Sequence, residues 1–331
     1  MKNVLVTGGA GYVGSHACRA LVRSGYTPVS YDNLVYGHKW AVRWGPLIVG
    51  NINDDQALDA VLTEFQPVAA MHFAALTYVG ESVKAPAKYY GNNVVGAFRL
   101  MEGLRRRGVD KIIFSSSCAT YGLPEQVPLL ETHPQRPISP YGWSKLMVER
   151  MLKDYEQAYG LRFAALRYFN AAGADPAGAI GETHDPETHL IPLAVQAALG
   201  RSPGLEIYGV DYPTPDGTAV RDYVHVDDLA EAHVLALEHL LSGGGSLELN
   251  LGTGHGHSVR TVIQAVEKVG GRRVPAKEVG RRPGDPAELV AAAGQARTVL
   301  GWTCRYGDLE AIVRTAWHWH AEASLKYAGQ D

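Results

Sequence analysis

The chain has 331 residues, 46% hydrophobic and 20% charged, with a formal net charge of −3; this is the balance of an ordinary soluble globular protein, long enough for a bilobal unit or two domains. So small a net charge excludes any general attraction to nucleic acid or to an anionic membrane. Cys18, Cys118 and Cys304 show no C-x-x-C spacing, no stretch reaches the roughly 18 apolar residues of a membrane span, and no leader is expected before a strand that begins by Asn3, so reduced cytoplasm is the expected compartment.

A first strand is expected over 2–6, then the glycine turn T-G-G-A-G-Y-V-G at 7–14 and a helix over 15–24 ended by Gly25. Gly8, Gly11 and Gly14 remove side chains where a backbone must approach a pyrophosphate, whose charge a helix N-terminus favours. A second strand over 29–31 ends in Asp32, suited to the two ribose hydroxyls of an adenosine and repulsive to a 2′-phosphate, so NAD is favoured over NADP. A glycine turn alone would merely close a βα unit; here strand, glycines, helix, second strand and acid occur in one run.

Further units follow: a strand at 47–49, a helix at 54–65, a strand at 68–73 leading into Ala74 and Ala75, a long helix at 86–107, and a strand at 111–114 opening into Ser115, Ser116 and Ser117. Repeated strand and helix with short connections predicts an α/β doubly wound parallel sheet of the NAD-binding Rossmann kind. Ligands bind outside the carboxyl ends of such strands, where Asp32, Ala74 and Ser117 fall.

The stretch S-P-Y-G-W-S-K at 139–145 opens the next helix, with Pro140 at a position that has no N–H to leave unsatisfied. Tyr141 and Lys145, four residues apart, share a face, so an ammonium there stabilises the neighbouring phenolate and makes a base of it. Taken alone, Y-x-x-x-K fits a surface helix equally well. Ser117, at the end of a buried strand, is the candidate third catalytic member.

Past a strand at 163–169, residues 170–187 and 208–218 read as loops of a smaller lobe, among helices at 190–199, 226–241 and 259–269 and strands at 205–208 and 247–251. The last helix, about 308–327, holds Trp317 and Trp319, read as packing. The pairs His255 and His257, His318 and His320, and His184 and His189 lack companion ligands at known spacings, so no metal is expected.

These motifs resemble the extended short-chain dehydrogenases/reductases. More narrowly, D-N-L at 32–34, V-G-E-S at 79–82, Y-Y-G-N-N at 89–93, S-S-S-C-A-T-Y-G at 115–122, L-R-Y-F-N at 166–170, D-Y-P-T-P-D-G-T at 211–218, V-R-D-Y-V-H at 220–225 and R-R-P-G-D at 281–285 are similar to UDP-glucose 4-epimerases. The resemblance implies an NAD-binding domain, mainly 1–170, and a smaller C-terminal α/β domain for the UDP-sugar, mainly 171–331, with some segments returning to the first sheet. It implies redox-neutral inversion at C4, in which Tyr141 takes the O4 proton, Ser117 hydrogen-bonds that oxygen, and Lys145 holds the nicotinamide ribose.

For NAD the resemblance implies Gly8, Gly11, Tyr12, Val13 and Gly14 in the turn, Asp32, Asn33, Asn51 and Ile52 at the adenosine, and Phe73, Ala74, Ala75, Asn92 and Phe169 elsewhere, with Tyr141 and Lys145. For the UDP-sugar it implies Asn170, His189, Leu190, Tyr208, Arg221, Arg282, Asp285 and Leu289 beside Ser117 and Tyr141. The arginines are assigned to the diphosphate, Asp285 to the uridine ribose and Tyr208 to the uracil face. The chain departs from the pattern at Asn51, Thr77 and His189, and Leu289 stands where some epimerases carry a Tyr, which leaves room for N-acetylated sugars. UDP-xylose and UDP-arabinose stay open as substrates. A dehydratase is disfavoured because Cys118 and Ala119, not an Asp-Glu pair, follow Ser117. Helices 86–107 and 141–159 are by resemblance a homodimer contact, although their apolar stripes suit intrachain core equally.

Overall fold

Val4, Leu5 and Val6 form an apolar run too short for a helix, and all three are fully buried in the first strand, β1 (Lys2–Thr7). The computed structural model describes residues 1–282 and 284–327. It continues through α1 (Tyr12–Arg23), β2 (Tyr26–Asp32), β3 (Leu47–Val49), α2 (Asp55–Phe65) and β4 (Ala69–His72). Next come α3 (Val79–Lys84), α4 (Pro86–Tyr89), a π-helical turn (Tyr90–Val95), α5 (Gly96–Arg106), β5 (Lys111–Ser117), α6 (Pro140–Tyr159) and β6 (Arg162–Tyr168). The second half holds β7 (Asn170–Ala172), α7 (Leu190–Ala198), β8 (Leu205–Tyr208), β9 (Val220–His225), α8 (Val226–Leu241) and β10 (Leu247–Leu251). It ends with β11 (Gly256–Ser258), α9 (Val259–Gly270), β12 (Ala276–Val279), β13 (Glu288–Leu289), α10 (Gly294–Leu300) and α11 (Leu309–Ala321).

Seven parallel strands form the main sheet in the order β10-β6-β5-β4-β1-β2-β3. One face packs on α1 and α8 through Ala17, Leu21, Leu229 and Leu237. The other packs on α2, α5 and α6 through Leu58, Leu62, Leu100, Leu104 and Val148. Helices on both faces make this the doubly wound fold read from the sequence, and the strand order reverses between β1 and β4, where such sheets open a crevice.

Local chemistry explains several boundaries. The Asp54 side chain accepts from the N–H groups of Gln56 and Ala57 to start α2, and Ser139 accepts from Gly142 to start α6 at Pro140. Gly160, at φ +75°, ends α6 in a conformation that other residues adopt only at a cost.

The segment expected as one helix over 86–107 is divided by the π-helical turn, and α3 precedes it. The stretch expected as a loop over 170–187 begins with β7, which pairs with β9 in a second sheet that also holds β11 and β13; the expected loop at 208–218 precedes β9. Strands of two or three residues are too short for an alternating pattern to declare itself. The inner faces of α5 and α6 are core, yet Phe98, Trp143 and Met147 remain exposed on these helices. Trp319 is fully buried against Trp40 and Tyr327. Among the described residues no helix is long and apolar enough to cross a membrane.

Candidate active site

A cleft of about 1500 Å³ opens at the carboxyl ends of β1, β4 and β5 and continues past β9 and β13. Its floor begins with the glycine turn. Gly8 has φ +78°, and a Cβ there would stand 2.7 Å from the Ala74 nitrogen; one on Gly14 would meet the Gly8 carbonyl oxygen at 2.1 Å. Only glycine fits either place. Gly11 starts α1 with no side-chain cap, so the first N–H groups of that helix are left for a ligand, and their dipoles favour an anion.

At the end of β2 the Asp32 carboxylate accepts from Ala10 N at 3.0 Å and Leu34 N at 2.8 Å. Each oxygen keeps a further lone pair for a ribose hydroxyl. Bare backbone, helix start and acid together fit a dinucleotide.

Tyr141, in the first turn of α6, and Lys145, one turn on, are both buried and both line the cleft with Ser117. The Lys145 ammonium donates to the Ser115 carbonyl at 2.7 Å and lies 5.0 Å from the centre of the Phe114 ring. The expected lowering of the Tyr141 pKa by this cation is not what the ligand-free site shows. Burial pushes the Tyr141 phenol well above its usual value, and the nearby Tyr168 adds to this, while hydrogen bonding with Ser117 works the other way. Burial likewise pushes Lys145 down to about 7, against the pull of Glu149. Desolvation outweighs pairwise attraction at both residues.

Behind this face lies a network that sequence reading missed. Glu149 and Arg167 are each about 1% exposed and form a bidentate pair, with Arg167 Nη2 to Glu149 Oε2 at 2.7 Å and Nε to Oε1 at 3.0 Å. Ser116 and Gln135 donate to the same carboxylate at 2.5 and 2.9 Å, and Arg167 also reaches Glu248 at 2.9 Å. The signal was available, since an Arg inside the apolar run F-A-A-L-R-Y-F requires a buried partner. The network fixes α6 against β5, with Lys145 held to Ser115 and Glu149 to the neighbouring Ser116.

The far wall is built of side chains. Arg221, on β9, gives Nη2 to Asp285 at 2.5 Å and to the Pro286 carbonyl at 2.8 Å, and Nη1 to its neighbour Val220 at 2.6 Å. Both members of this pair, with Arg282, Leu289, Asn170, His189 and Leu190, line the cleft. So do Tyr12, Val13, Asn33, Ile52, Phe73, Ala75, Asn92 and Phe169.

Two expected residues do not line it. Asn51 is exposed and turns its side-chain oxygen to the Asn53 N–H at 2.9 Å. The Tyr208 ring carries the Arg282 guanidinium 3.8 Å above it, so it supports the wall from behind. Tyr36, Tyr78 and Tyr223 line the cleft without having been anticipated. The expectation that His184 and His189 lack carboxylate companions also fails: both lie against Glu182, and Glu187 is beside them. Folding of the 182–189 loop, which the 170–187 loop reading left undefined, brings them together.

Comparison with known proteins agrees with this geometry. Residues 4–252 match the sequence profile of the NAD dependent epimerase/dehydratase family. A UDP-glucose 4-epimerase of Rhizobium leguminosarum bv. trifolii is 55% identical over 98% of this chain and 98% of its own. The crystal structure of a Brucella ovis UDP-glucose 4-epimerase in complex with NAD is similar at a TM-score of 0.94 and 54% identity, covering 97% of this chain and 99% of that one. That of a UDP-glucose-4-epimerase from Stenotrophomonas maltophila, with bound NAD and formylated UDP-arabinopyranose, is similar at 0.95 and 42% identity, covering 98% and 100%.

Proposed function

The chain belongs to the NAD dependent epimerase/dehydratase family, and from that premise we propose that it inverts C4 of a UDP-hexose, interconverting UDP-galactose and UDP-glucose through a 4-keto sugar. The observation that carries this reading is that a single cleft joins the glycine turn to Ser117, Tyr141 and Lys145 and then to Arg221, Arg282 and Asp285. NAD, when bound, supplies a hydride acceptor for C4, the return of that hydride to the opposite face, and the positive charge of its oxidised ring.

The glycine turn and Asp32 hold the cofactor. Tyr141 takes the O4 proton and later returns it, Ser117 donates to the same oxygen, and Lys145 orients the nicotinamide-side ribose. Burial pushes the Tyr141 phenol up in the ligand-free chain, so a bound group carrying positive charge beside it would bring it back down. The arginines grip the diphosphate, so the sugar is free to turn between hydride steps. Residues 1–170 with α8 and β10 form the cofactor lobe, and the rest of 171–331 receives the UDP-sugar.

A dehydratase needs acid and base beside the Tyr, and the turn after Ser117 supplies only Ala119 and Cys118, whose thiol burial pushes up to about 12. Leu289 on the wall supports tolerance of UDP-N-acetylhexosamines, and UDP-xylose and UDP-arabinose fit the same C4 chemistry. Exposed Phe98, Trp143 and Met147 support a homodimer through α5 and α6; a sedimentation mass of one chain would remove it.

The deciding experiment is NMR of UDP-galactose incubated with the purified protein without added NAD. Conversion to UDP-glucose is expected, with a loss of roughly 10²–10⁴-fold in Tyr141→Phe. No conversion of UDP-galactose, UDP-pentoses or UDP-N-acetylhexosamines, even with added NAD, would overturn the reading.

A further inference from the structure

We propose that Glu182, His184, Glu187 and His189 bind a divalent transition-metal cation of the zinc class in the wall of the cleft. One potential ligand atom from each lies within 4.8 Å of all the others, and among the described residues no second group of this kind occurs. Tetrahedral zinc, with bonds of about 2.0–2.1 Å to nitrogen and oxygen, sets its ligand atoms roughly 3.3 Å apart. Here Glu182 Oε1 is 2.9 Å and Glu187 Oε1 3.9 Å from His184 Nδ1. His189 Nδ1 sits closer still to the same Glu182 oxygen, and the four atoms spread over as much as 4.8 Å, so pairs in the loop would have to part or close by roughly 1–1.5 Å to take the zinc geometry.

The donor set suits this ion. Imidazole and carboxylate are its ordinary non-thiolate ligands, and two carboxylates with two neutral imidazoles balance a charge of two. His184 Nδ1 is buried and close to the Glu182 oxygen, yet it makes no aligned hydrogen bond.

The loop is also framed from outside. The Trp319 indole N–H donates to the Glu182 carbonyl at 2.8 Å, His38 Nε2 lies 2.8 Å from the Thr183 carbonyl, and the Glu187 carboxylate accepts from Thr188 N at 2.7 Å and His189 N at 2.8 Å. These contacts fix the backbone of the loop and hold Glu187 through its Oε1. His184 and His189 line the cleft, which gives the ion its entry path. An ion there ties the start of α7, where Leu190 faces the cleft, to the buried Glu182. This assignment does not depend on the epimerase reading.

The test uses the whole NAD-loaded chain, treated with EDTA, dialysed against zinc chloride and analysed for metal. Roughly one zinc per chain is expected, with affinity at least about tenfold weaker in both His184→Ala and Glu187→Gln and unchanged in His257→Ala. Retained NAD and an unchanged melting curve in the near-isosteric Glu187→Gln exclude unfolding as the cause. X-ray absorption at the zinc edge should give two imidazoles and carboxylate oxygens at about 2.0–2.2 Å. A stoichiometry near zero, binding that survives both loop variants, or a shell of water oxygen alone would overturn the proposal.

Discussion

The two walls of the cleft are made of different material. At the glycine turn the surface is backbone, since Gly8, Gly14 and the uncapped start of α1 leave no side chain to trim there, although Asp32, Ile52 and Phe73 line the cleft beyond it. On the opposite side it is side chain: Arg221, Arg282, Asp285 and Leu289 reach in from short strands and loops. A wall of backbone tolerates no added atom, whereas a wall of side chains can be altered one contact at a time. The first should fail abruptly and the second by degrees.

The sharpest way to break this contrast is Gly14→Ala. Its Cβ has to displace the Gly8 carbonyl, so bound NAD, measured by absorbance after denaturation, should fall below about a tenth of wild type and activity by at least ~100-fold. Near-normal NAD content would show that the cradle yields. Lys145, at the seam, gives a test through pH. Burial lowers its pKa from 10.5 to about 7, so between those values the unfolded chain holds a proton that the folded chain has lost, and stability rises with pH. Below pH 7 the cost of the buried ammonium is fully present. Lys145→Met should therefore stabilise the NAD-free protein by on the order of a few kcal/mol at pH 6.5, and by much less at pH 9.5, in urea unfolding. An equal gain at both would refute the shift.

Smaller effects belong to the side-chain wall. Arg282→Leu should raise KM for UDP-galactose roughly tenfold and leave kcat within a factor of about three, because it removes binding common to ground and transition states. Abolished turnover would mean that this wall is as unforgiving as the other. Leu289→Tyr should lower the turnover of UDP-N-acetylglucosamine relative to UDP-glucose by several-fold, perceptible only as a ratio. An unchanged ratio would detach Leu289 from sugar choice.

The same contrast governs what could be read from sequence. The glycine turn, Asp32 and the Tyr141–Lys145 spacing are local patterns set by backbone geometry, and they led directly to the sheet and to its crevice. The second sheet escaped because every partner of its six-residue centre β9, namely β7, β11 and β13, is only two or three residues long. Glu149 and Arg167 escaped because their pairing joins a helix to a strand across 18 positions, with no spacing rule to mark it. Tyr208, expected at the uracil face, does not line the cleft, and its ring stacks with the Arg282 guanidinium; residue identity says nothing of such a pairing. At Tyr141 and Lys145 the spacing shows the attraction between the two groups, but the larger cost of desolvation follows from burial, which spacing does not contain.

One feature of the main sheet reaches beyond the cleft. Its outermost strand, β10, lies beside β6 although 78 residues separate the end of one from the start of the other, from Tyr168 to Leu247. During synthesis, β6 therefore emerges with one edge unpaired and stays so while the intervening lobe is made, a period in which that edge is open to pairing with another chain. For the same reason a cut near residue 170 would not yield a self-contained cofactor module: the piece would lack β10 and α8 and expose the apolar face of β6. A split or permuted version that keeps 226–251 with the first 170 residues respects the spatial boundary, which the chain crosses more than once.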